Sequence, residues 1–296
     1  MNDTNAVPRA RHMPLVVGGT GGSGTRLVSR LLSEGGVMMG FDCNKERDTL
    51  TFTHLFKHPR WFGPTFGTDQ SIHPRLHALH EKISFARMPS TEQEIRLYLM
   101  AGMNHMVSRY WYKYHLLWVL KRAGKLLFTK PISYDRRWGW KESHTTFHLQ
   151  GIAAYYQEPK YIHIIRNGLD MAYSRTHQEL ADWGHCFGLN RRDTSPRNIF
   201  ECWYRFNKYA LETGRRLFGS RFLAIRFEEL CTQNRPQVQK LFAFCELDPN
   251  TATPKIIGIP RLPPSVGRYR KNDQSWIDTE VLSKLGELGY SAPPES

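Results

Sequence analysis

A glycine-rich turn between a short apolar run and a helical pattern is the feature that most constrains how this chain can fold. The apolar run from Met13 to Val17 leads into five glycines within seven residues, and leucine and valine then recur at helical spacing from Leu27 onward. Glycine lets a backbone turn its N–H groups inward, and a helix N-terminus adds unpaired donors and the positive end of a dipole. The sequence therefore predicts a strand, an anion-binding loop and a helix, with a purely structural turn as the alternative.

This loop differs from the form found in nucleotide hydrolases. That form requires Gly, four residues and then Gly-Lys-Ser/Thr. Gly19 and Gly24 have this separation, but Thr25 stands at the lysine position and Arg26 at the position of the magnesium-binding hydroxyl. Because such an enzyme would lack its γ-phosphate clamp and its metal ligand, the sequence argues against ATP or GTP hydrolysis.

A second segment combines a buried strand with anion-binding side chains. Residues 160–165 are almost entirely apolar, which is typical of a strand in a parallel sheet. Arg166 follows this run, and Ser174 comes eight residues later in a helical pattern. An arginine fork and a serine hydroxyl can hold one anion from two sides. The alternative is an arginine at a helix start followed by an ordinary helical serine.

Together with three further segments, these motifs resemble those of the PAPS-dependent sulfotransferases, whose sulfuryl donor is 3′-phosphoadenosine 5′-phosphosulfate (PAPS). The chain is most similar to the soluble bacterial members related to the carbohydrate and tyrosylprotein enzymes. The resemblance covers about residues 13–290, and its motifs occur in the family's order. The motifs are Ser23-Gly24-Thr25, Trp138-Gly139-Trp140-Lys141-Glu142-Ser143-His144, the segment from Arg166 to Ser174, Arg226-Phe227-Glu228-Glu229-Leu230 and Ser265-Val266-Gly267-Arg268-Tyr269-Arg270-Lys271.

The resemblance implies which residues bind the donor. The glycine loop would hold the 5′-phosphosulfate, the segment from Arg166 to Ser174 the 3′-phosphate, and the basic C-terminal segment would close over the nucleotide. PAPS is the expected donor co-substrate, and no metal is required. The residues expected to bind it are Gly21, Gly22, Ser23, Gly24, Thr25, Arg26, Arg166, Ser174, Arg268, Arg270 and Lys271.

The resemblance also implies catalytic cations, with one departure. Lys141 would stabilise the transition state, the alternative being a lysine that ends a strand. Family members usually carry lysine or arginine where this chain has Gly22, so Arg26 would supply that charge from just after the loop. The departure keeps a non-catalytic anion- or glycan-binding protein on the same fold as an alternative to the enzyme. A P-loop-type kinase of nucleotides or small molecules is a further alternative.

In-line transfer to a hydroxyl needs a general base that accepts the hydroxyl proton. Asp48 is the first choice, because it follows the expected second strand, where related enzymes place acceptor-side residues. An aspartate that opens a predicted helix can, however, simply cap that helix. The alternatives are Asp42, Glu46, Glu142 and His144.

Apolar runs alternate with helical patterns along the chain, which predicts an α/β fold with a central parallel sheet flanked by helices. The resemblance specifies a P-loop NTPase-like sulfotransferase fold. We expect a single domain at residues 13–290 between flexible tails at 1–12 and 291–296. Strands are predicted at residues 15–18, 35–39, 139–141, 161–166 and 222–226. Helices are predicted at residues 25–34, 49–56, 91–120, 145–156, 168–179, 195–218, 235–245 and 279–288.

Composition limits the partners and the compartment. The formal charge of +14 favours anionic ligands, but the basic residues are dispersed and no nucleic-acid-binding motif is present, so nucleic acid is not expected. No apolar run approaches a membrane span, and the N-terminus lacks the apolar core of a signal peptide. The five cysteines show neither a disulfide framework nor zinc-site spacing. We expect a cytoplasmic enzyme with a hydroxyl-bearing acceptor, a glycan or lipid being the favoured class.

Three histidines, His73, His77 and His80, share a helical face and raise the question of a metal site. Only one pair of them has four-residue spacing, and no carboxylate or cysteine completes a ligand set. We therefore predict a solvated, histidine-rich helix and no metal.

Overall fold

The computed structural model describes residues 13–56, 72–84, 137–175 and 177–291, together with isolated positions between 92 and 124. Four parallel strands form one sheet in the order β2–β1–β3–β4. Helices cover both faces of this sheet, which confirms the predicted α/β class. The strands are β1 (Leu15–Gly18), β2 (Gly139–Lys141), β3 (Lys160–Ile165) and β4 (Phe222–Arg226).

The two faces of the sheet each carry an apolar core. Val16 pairs in register with Trp140 on one side and Tyr161 on the other, and all three belong to the core on one face. Val17 and Ile162 are neighbours in the same strands, yet they belong to the core on the opposite face. Because successive side chains of a strand point to opposite faces, an all-apolar strand fits only a sheet covered on both sides.

The helices follow the sequence pattern most closely where local signals are strong. The longest helix begins with Pro196, is capped by the Ser195 hydroxyl, which accepts a bond from the Asn198 N–H at 3.4 Å, and ends before Gly219, whose φ is 55°. The described helices are α1 (Thr25–Glu34), α2 (Leu50–Phe56), α3 (His73–Ser84), α4 (Leu149–Tyr155), α5 (Gly168–Ala172), α6 (Gln178–Trp183), α7 (Pro196–Phe218), α8 (Phe227–Thr232), α9 (Asn234–Phe244), α10 (Pro254–Ile257) and α11 (Thr279–Glu287).

The predicted strand at residues 35–39 is wrong. Met38 forms one isolated parallel bridge with Trp138, and no strand extends from it. Gly36 and Gly40 flank this bridge with φ values of 91° and 78°. These left-handed backbones turn the chain away from the sheet on both sides of Met38, which limits the pairing to a single residue.

Two predicted helices are divided in the structure. Residues 168–179 form α5 and α6 rather than one helix, and the Tyr173 carbonyl at the end of α5 accepts a hydrogen bond from Arg268 Nη1 at 3.2 Å. Residues 145–156 divide into a 3₁₀ turn at Ser143–His148 and then α4. The Glu142 carboxylate caps this turn by accepting a bond from the His144 N–H.

The prediction of a solvated histidine helix is also wrong. Helix α3 packs into the core that contains Trp138, and His80 is buried with its ring 5.2 Å from the Trp138 ring. Burial lowers the pKa of His80 to about 4. Within the described ranges, no group of His, Cys, Asp and Glu side chains could hold a metal ion.

The helix predicted at residues 91–120 falls almost wholly outside the described residues, as do the predicted tails apart from residue 291. Among the helices that are described, none is both long enough and apolar enough to cross a membrane.

Candidate functional site

A cleft of about 700 Å³ opens at the carboxyl ends of the strands. Its walls come from the residues at the end of each strand or directly after it: the glycine loop after β1, Lys141 at the end of β2, Arg166 after β3 and Phe227 after β4. In an open parallel sheet, this edge is where ligands bind. The cleft therefore brings together motifs that lie far apart in the sequence.

The glycine loop presents backbone donors to this cleft. Gly22 and Gly24 have φ values of 86° and 109°, and Gly24 begins α1 with no side-chain cap on its N–H groups. A Cβ at Gly24 would lie 2.4 Å from Phe227 Cδ2, so only glycine fits there. The buried Ser23 hydroxyl has no hydrogen-bond partner among the described residues. An uncapped helix N-terminus with a spare buried hydroxyl is suited to an anion.

Arg166 joins this loop to the C-terminal segment. Its side chain is buried, its Nη1 donates to the Gly22 carbonyl at 3.3 Å, and its Nη2 donates to the Ser265 hydroxyl at 2.9 Å. The guanidinium also lies 5.0 Å from the ring centre of Phe227. Ser174 Oγ would be 4.0 Å from a Cβ placed on Gly22, so both ends of the second motif meet the glycine loop.

The basic C-terminal residues take different positions. Arg268 is half-buried and donates from Nε to the Ser265 carbonyl at 3.1 Å. Burial lowers the pKa of the Arg268 guanidinium, and the nearby charge of Arg166 lowers it further. Arg270 and Lys271 are exposed and do not line the cleft. Arg268 does not line the cleft either, but it contacts Ser265, which does, and its charge interacts with that of Arg166.

Lys141 and Asp48 form an ion pair in the wall of the cleft. Lys141 Nζ donates to Asp48 Oδ1 and, at 3.2 Å, to the Glu46 carbonyl. The position of Asp48 relative to β2 is fixed by the next residue, Thr49, whose N–H donates to the Lys141 carbonyl at 2.8 Å. Asp48 also accepts a bond from Asn44 Nδ2 at 3.0 Å. The Asp48 carboxylate is therefore engaged on both oxygens, and it does not act as the cap of α2.

A glutamate–histidine pair stands beside Lys141. His144 Nδ1 lies 3.1 Å from Glu142 Oε1, both side chains are buried, and both residues line the cleft. The His144 ring packs 4.6 Å from the ring of Trp183. His144 Nε2 has no hydrogen-bond partner among the described residues. When Nδ1 donates to the carboxylate, Nε2 carries a free lone pair and can accept a proton.

The other candidate residues differ in their access to the cleft. Arg26 and Glu46 line it, whereas Asp42 is buried elsewhere and accepts a bond from the Thr51 hydroxyl at 2.8 Å. Sequence reasoning missed three charged residues of the wall: Arg30, Glu179 and Arg261. Arg30 follows Arg26 by one helical turn, so the helical period could have indicated it. For Glu179 and Arg261, no local signal exists.

Comparisons with known proteins find a family model and solved structures that are similar to this chain. The sequence model of the sulfotransferase family matches residues 14–251. Similar solved structures include the sulfotransferase domain of the Synechococcus PCC 7002 olefin synthase, at 13% identity and a TM-score of 0.45, covering 97% of this chain and 98% of that one. The sulfotransferase domain from the curacin biosynthetic pathway is 13% identical at a TM-score of 0.47, covering 95% and 99% of the two chains.

A further similar structure is the sulfotransferase from Alicyclobacillus acidocaldarius, which is 15% identical at a TM-score of 0.43 and covers 95% of this chain and 97% of that one. The comparison with curated proteins finds no match. The family match includes all four strands, the glycine loop, Lys141 and Arg166. On this match the chain belongs to the sulfotransferase family.

Proposed function

We propose that this protein is a PAPS-dependent sulfotransferase that transfers a sulfuryl group to a hydroxyl of an acceptor such as a glycan or lipid. One observation carries the proposal: the two anion-binding motifs meet in a single cleft, where Arg166 donates to the Gly22 carbonyl at 3.3 Å. A ligand with two separate anionic groups, as PAPS has, could occupy both motifs at once.

The residues of the cleft suit such a donor. We assign the 5′-phosphosulfate to the N-terminus of α1 and the Ser23 hydroxyl, and the 3′-phosphate to Arg166, Ser174 and Arg268. Of these four side chains only Arg166 lines the cleft, and the other three stand beside it. Because Arg270 and Lys271 are exposed outside the cleft, we do not assign them to the donor. PAPS would supply the sulfuryl group, and its 5′-phosphate would be the leaving group.

Lys141 is the proposed transition-state cation. Its ammonium is largely buried and held by Asp48, so it can face developing negative charge without first reorganising water. Arg26 lines the same cleft and offers a second cation, which suits a loop that has Gly22 in place of a basic residue. As in phosphoryl transfer, positioning and charge neutralisation would supply most of the rate.

Two groups compete for the role of general base. Asp48 remains the candidate from the sequence, but its oxygens are engaged by Lys141 and Asn44. His144 is oriented by Glu142 and keeps Nε2 without a partner among the described residues, and this geometry favours it as the base. Asp48 would then act as a positioning residue for Lys141.

Calorimetric titration tests the donor site. We expect 3′,5′-adenosine bisphosphate to bind more tightly than ADP or ATP, and Arg166→Lys to lose at least tenfold in affinity, because lysine cannot form the arginine fork. Arg215→Ala removes an exposed arginine of α7 and should bind like the wild type. A preference for ATP would indicate a kinase, and no nucleotide binding by folded protein would refute the donor.

Transfer from sulfur-labelled PAPS to a panel of glycan, lipid and phenolic hydroxyls tests the reaction. Lys141→Met should lower kcat at least 100-fold, as loss of a transition-state donor does. His144→Gln should lower kcat by about 10²–10⁴-fold, as loss of a general base does. Donor binding without transfer to any acceptor would favour the non-catalytic binder. The cytoplasmic location stays a prediction.

A further inference from the structure

A carboxylate of the chain itself lies against the anion-binding loop. Glu179 Oε1 accepts a hydrogen bond from the Gly21 N–H at 2.5 Å, and Glu179 lines the cleft. A Cβ at position 21 would lie 2.5 Å from that oxygen, so a larger residue there would push the carboxylate aside. The contact joins positions that are 158 residues apart in the sequence.

The charge of Glu179 is not paired with a basic side chain of the described residues. Within the part of the chain that the structure describes, no arginine, lysine or histidine forms a salt bridge with Glu179, although Arg26 and Arg166 line the same cleft. A backbone N–H that faces an anion site binds carboxylate and sulfate by the same charge-assisted bond. Glu179 therefore uses a donor that an anionic ligand would also use.

The position of Glu179 relative to the second motif determines which ligands could displace it. Glu179 lies in α6, five residues after Ser174, and Arg166 reaches the neighbouring Gly22 carbonyl. A carboxylate attached to the protein has a high effective concentration, so a small free anion competes poorly with it. A ligand that also binds Arg166 gains its own second contact and can compete.

We propose that Glu179 lowers the affinity of the glycine loop for every anion by competing for the Gly21 N–H, so that only ligands with a second contact bind appreciably. Single anions such as inorganic sulfate and phosphate are kept out, and a ligand with a second anionic group at Arg166 displaces the carboxylate. The identity of that ligand rests on the proposed function, whereas the competition itself rests only on the contact between Glu179 and Gly21.

Glu179→Gln is the sharpest test, because glutamine keeps the size of the side chain and an oxygen that can accept the Gly21 bond but removes the charge. Glu212→Gln is the matched control: it makes the same change in net charge at an exposed position of α7. Each protein is titrated calorimetrically with sodium sulfate and with 3′,5′-adenosine bisphosphate at constant ionic strength. Thermal unfolding checks that each variant is folded.

We expect Glu179→Gln to bind sulfate about tenfold more tightly than the wild type, which corresponds to one charge-assisted hydrogen bond. The affinity for 3′,5′-adenosine bisphosphate should rise by a similar factor, and Glu212→Gln should bind both ligands as tightly as the wild type does. Equal or weaker sulfate binding by folded Glu179→Gln would overturn the proposal and make Glu179 an anchor of the loop.

The two titrations separate this inference from the proposed function. Sulfate binding by Glu179→Gln tests the competition whatever the natural ligand is. The preference of the wild type among 3′,5′-adenosine bisphosphate, ADP and ATP tests the donor. A gain in sulfate affinity without bisphosphate binding would support the role of Glu179 and refute PAPS as the donor.

Discussion

Removing either partner of the Lys141–Asp48 ion pair should destabilise the protein, but by unequal amounts. The Lys141 side chain is 6% exposed and the Asp48 side chain is 22% exposed. Because water reaches the lysine less, its charge depends more on the ion pair for stabilisation. In Asp48→Ala, the Lys141 ammonium keeps one described hydrogen-bond partner, the Glu46 carbonyl at 3.2 Å. Lys141→Met leaves the carboxylate in contact with water and with Asn44 Nδ2 at 3.0 Å.

The expected magnitudes follow from these contacts. Breaking a fully buried pair by removing one partner costs about 3–5 kcal/mol. Because Asp48 is partly exposed and the Glu46 carbonyl remains, we expect about 3 kcal/mol for Asp48→Ala, at the lower end of that range. Methionine retains the apolar stem of Lys141, so Lys141→Met should cost about 1 kcal/mol. The double variant should resemble Lys141→Met alone, which corresponds to a coupling energy of about 3 kcal/mol.

Urea unfolding followed by circular dichroism measures the free energy of unfolding of the two single variants, the double variant and the wild type. Lys208→Met breaks the exposed pair with Glu287 and should change stability little, which controls for surface charge. Additive costs for the two single variants, or a larger cost for Lys141→Met than for Asp48→Ala, would refute the argument from burial.

Two further predictions concern the loop and the acid stability of the fold. Gly24→Ala forces an alanine to φ 109° with its Cβ 2.4 Å from Phe227, so we expect a loss of about 2–4 kcal/mol and weaker bisphosphate binding. Gly36 also has a positive φ, of 91°, but a Cβ there would meet no atom within 4 Å. If Gly36→Ala and Gly24→Ala lowered the free energy of unfolding in urea equally, the clash with Phe227 would not explain the loss. Burial lowers the pKa of His80 and of His163 to about 4 in the folded protein, whereas the pKa of a histidine in the unfolded chain is about 6.5. Between pH 4 and pH 6.5 the unfolded state therefore binds more protons than the folded state. Stability should therefore fall as pH drops from 6.5 to 4, by about 3 kcal/mol for each histidine, and a flat profile would contradict their burial.

The sequence determined the features that arise from local chemistry. Glycines before a helical pattern specify β1, the loop and α1, because positive φ angles and an uncapped helix start are properties of adjacent residues. The apolar run before Arg166 likewise specifies a buried strand ending in a cation. The family resemblance placed these segments in the sulfotransferase family, and the family match confirms that membership.

Local patterns failed at several places in the described chain. The predicted strand at residues 35–39 satisfies the apolar pattern, but the flanking glycines bend it away from the sheet. The predicted helix at residues 168–179 ends at Ala172, and the carbonyl of the next residue, Tyr173, accepts a hydrogen bond from Arg268. A window of adjacent residues contains no information about a partner that lies 95 residues away.

The tertiary structure alone decided how the site is assembled. It placed Arg166 on the Gly22 carbonyl, Asp48 on Lys141 and Glu179 on the Gly21 N–H, across separations of 144, 93 and 158 residues. Parallel strands bring their carboxyl ends to one edge, so residues remote in sequence converge there. Which side chains then pair depends on burial and distance, and these exist only once the chain has packed.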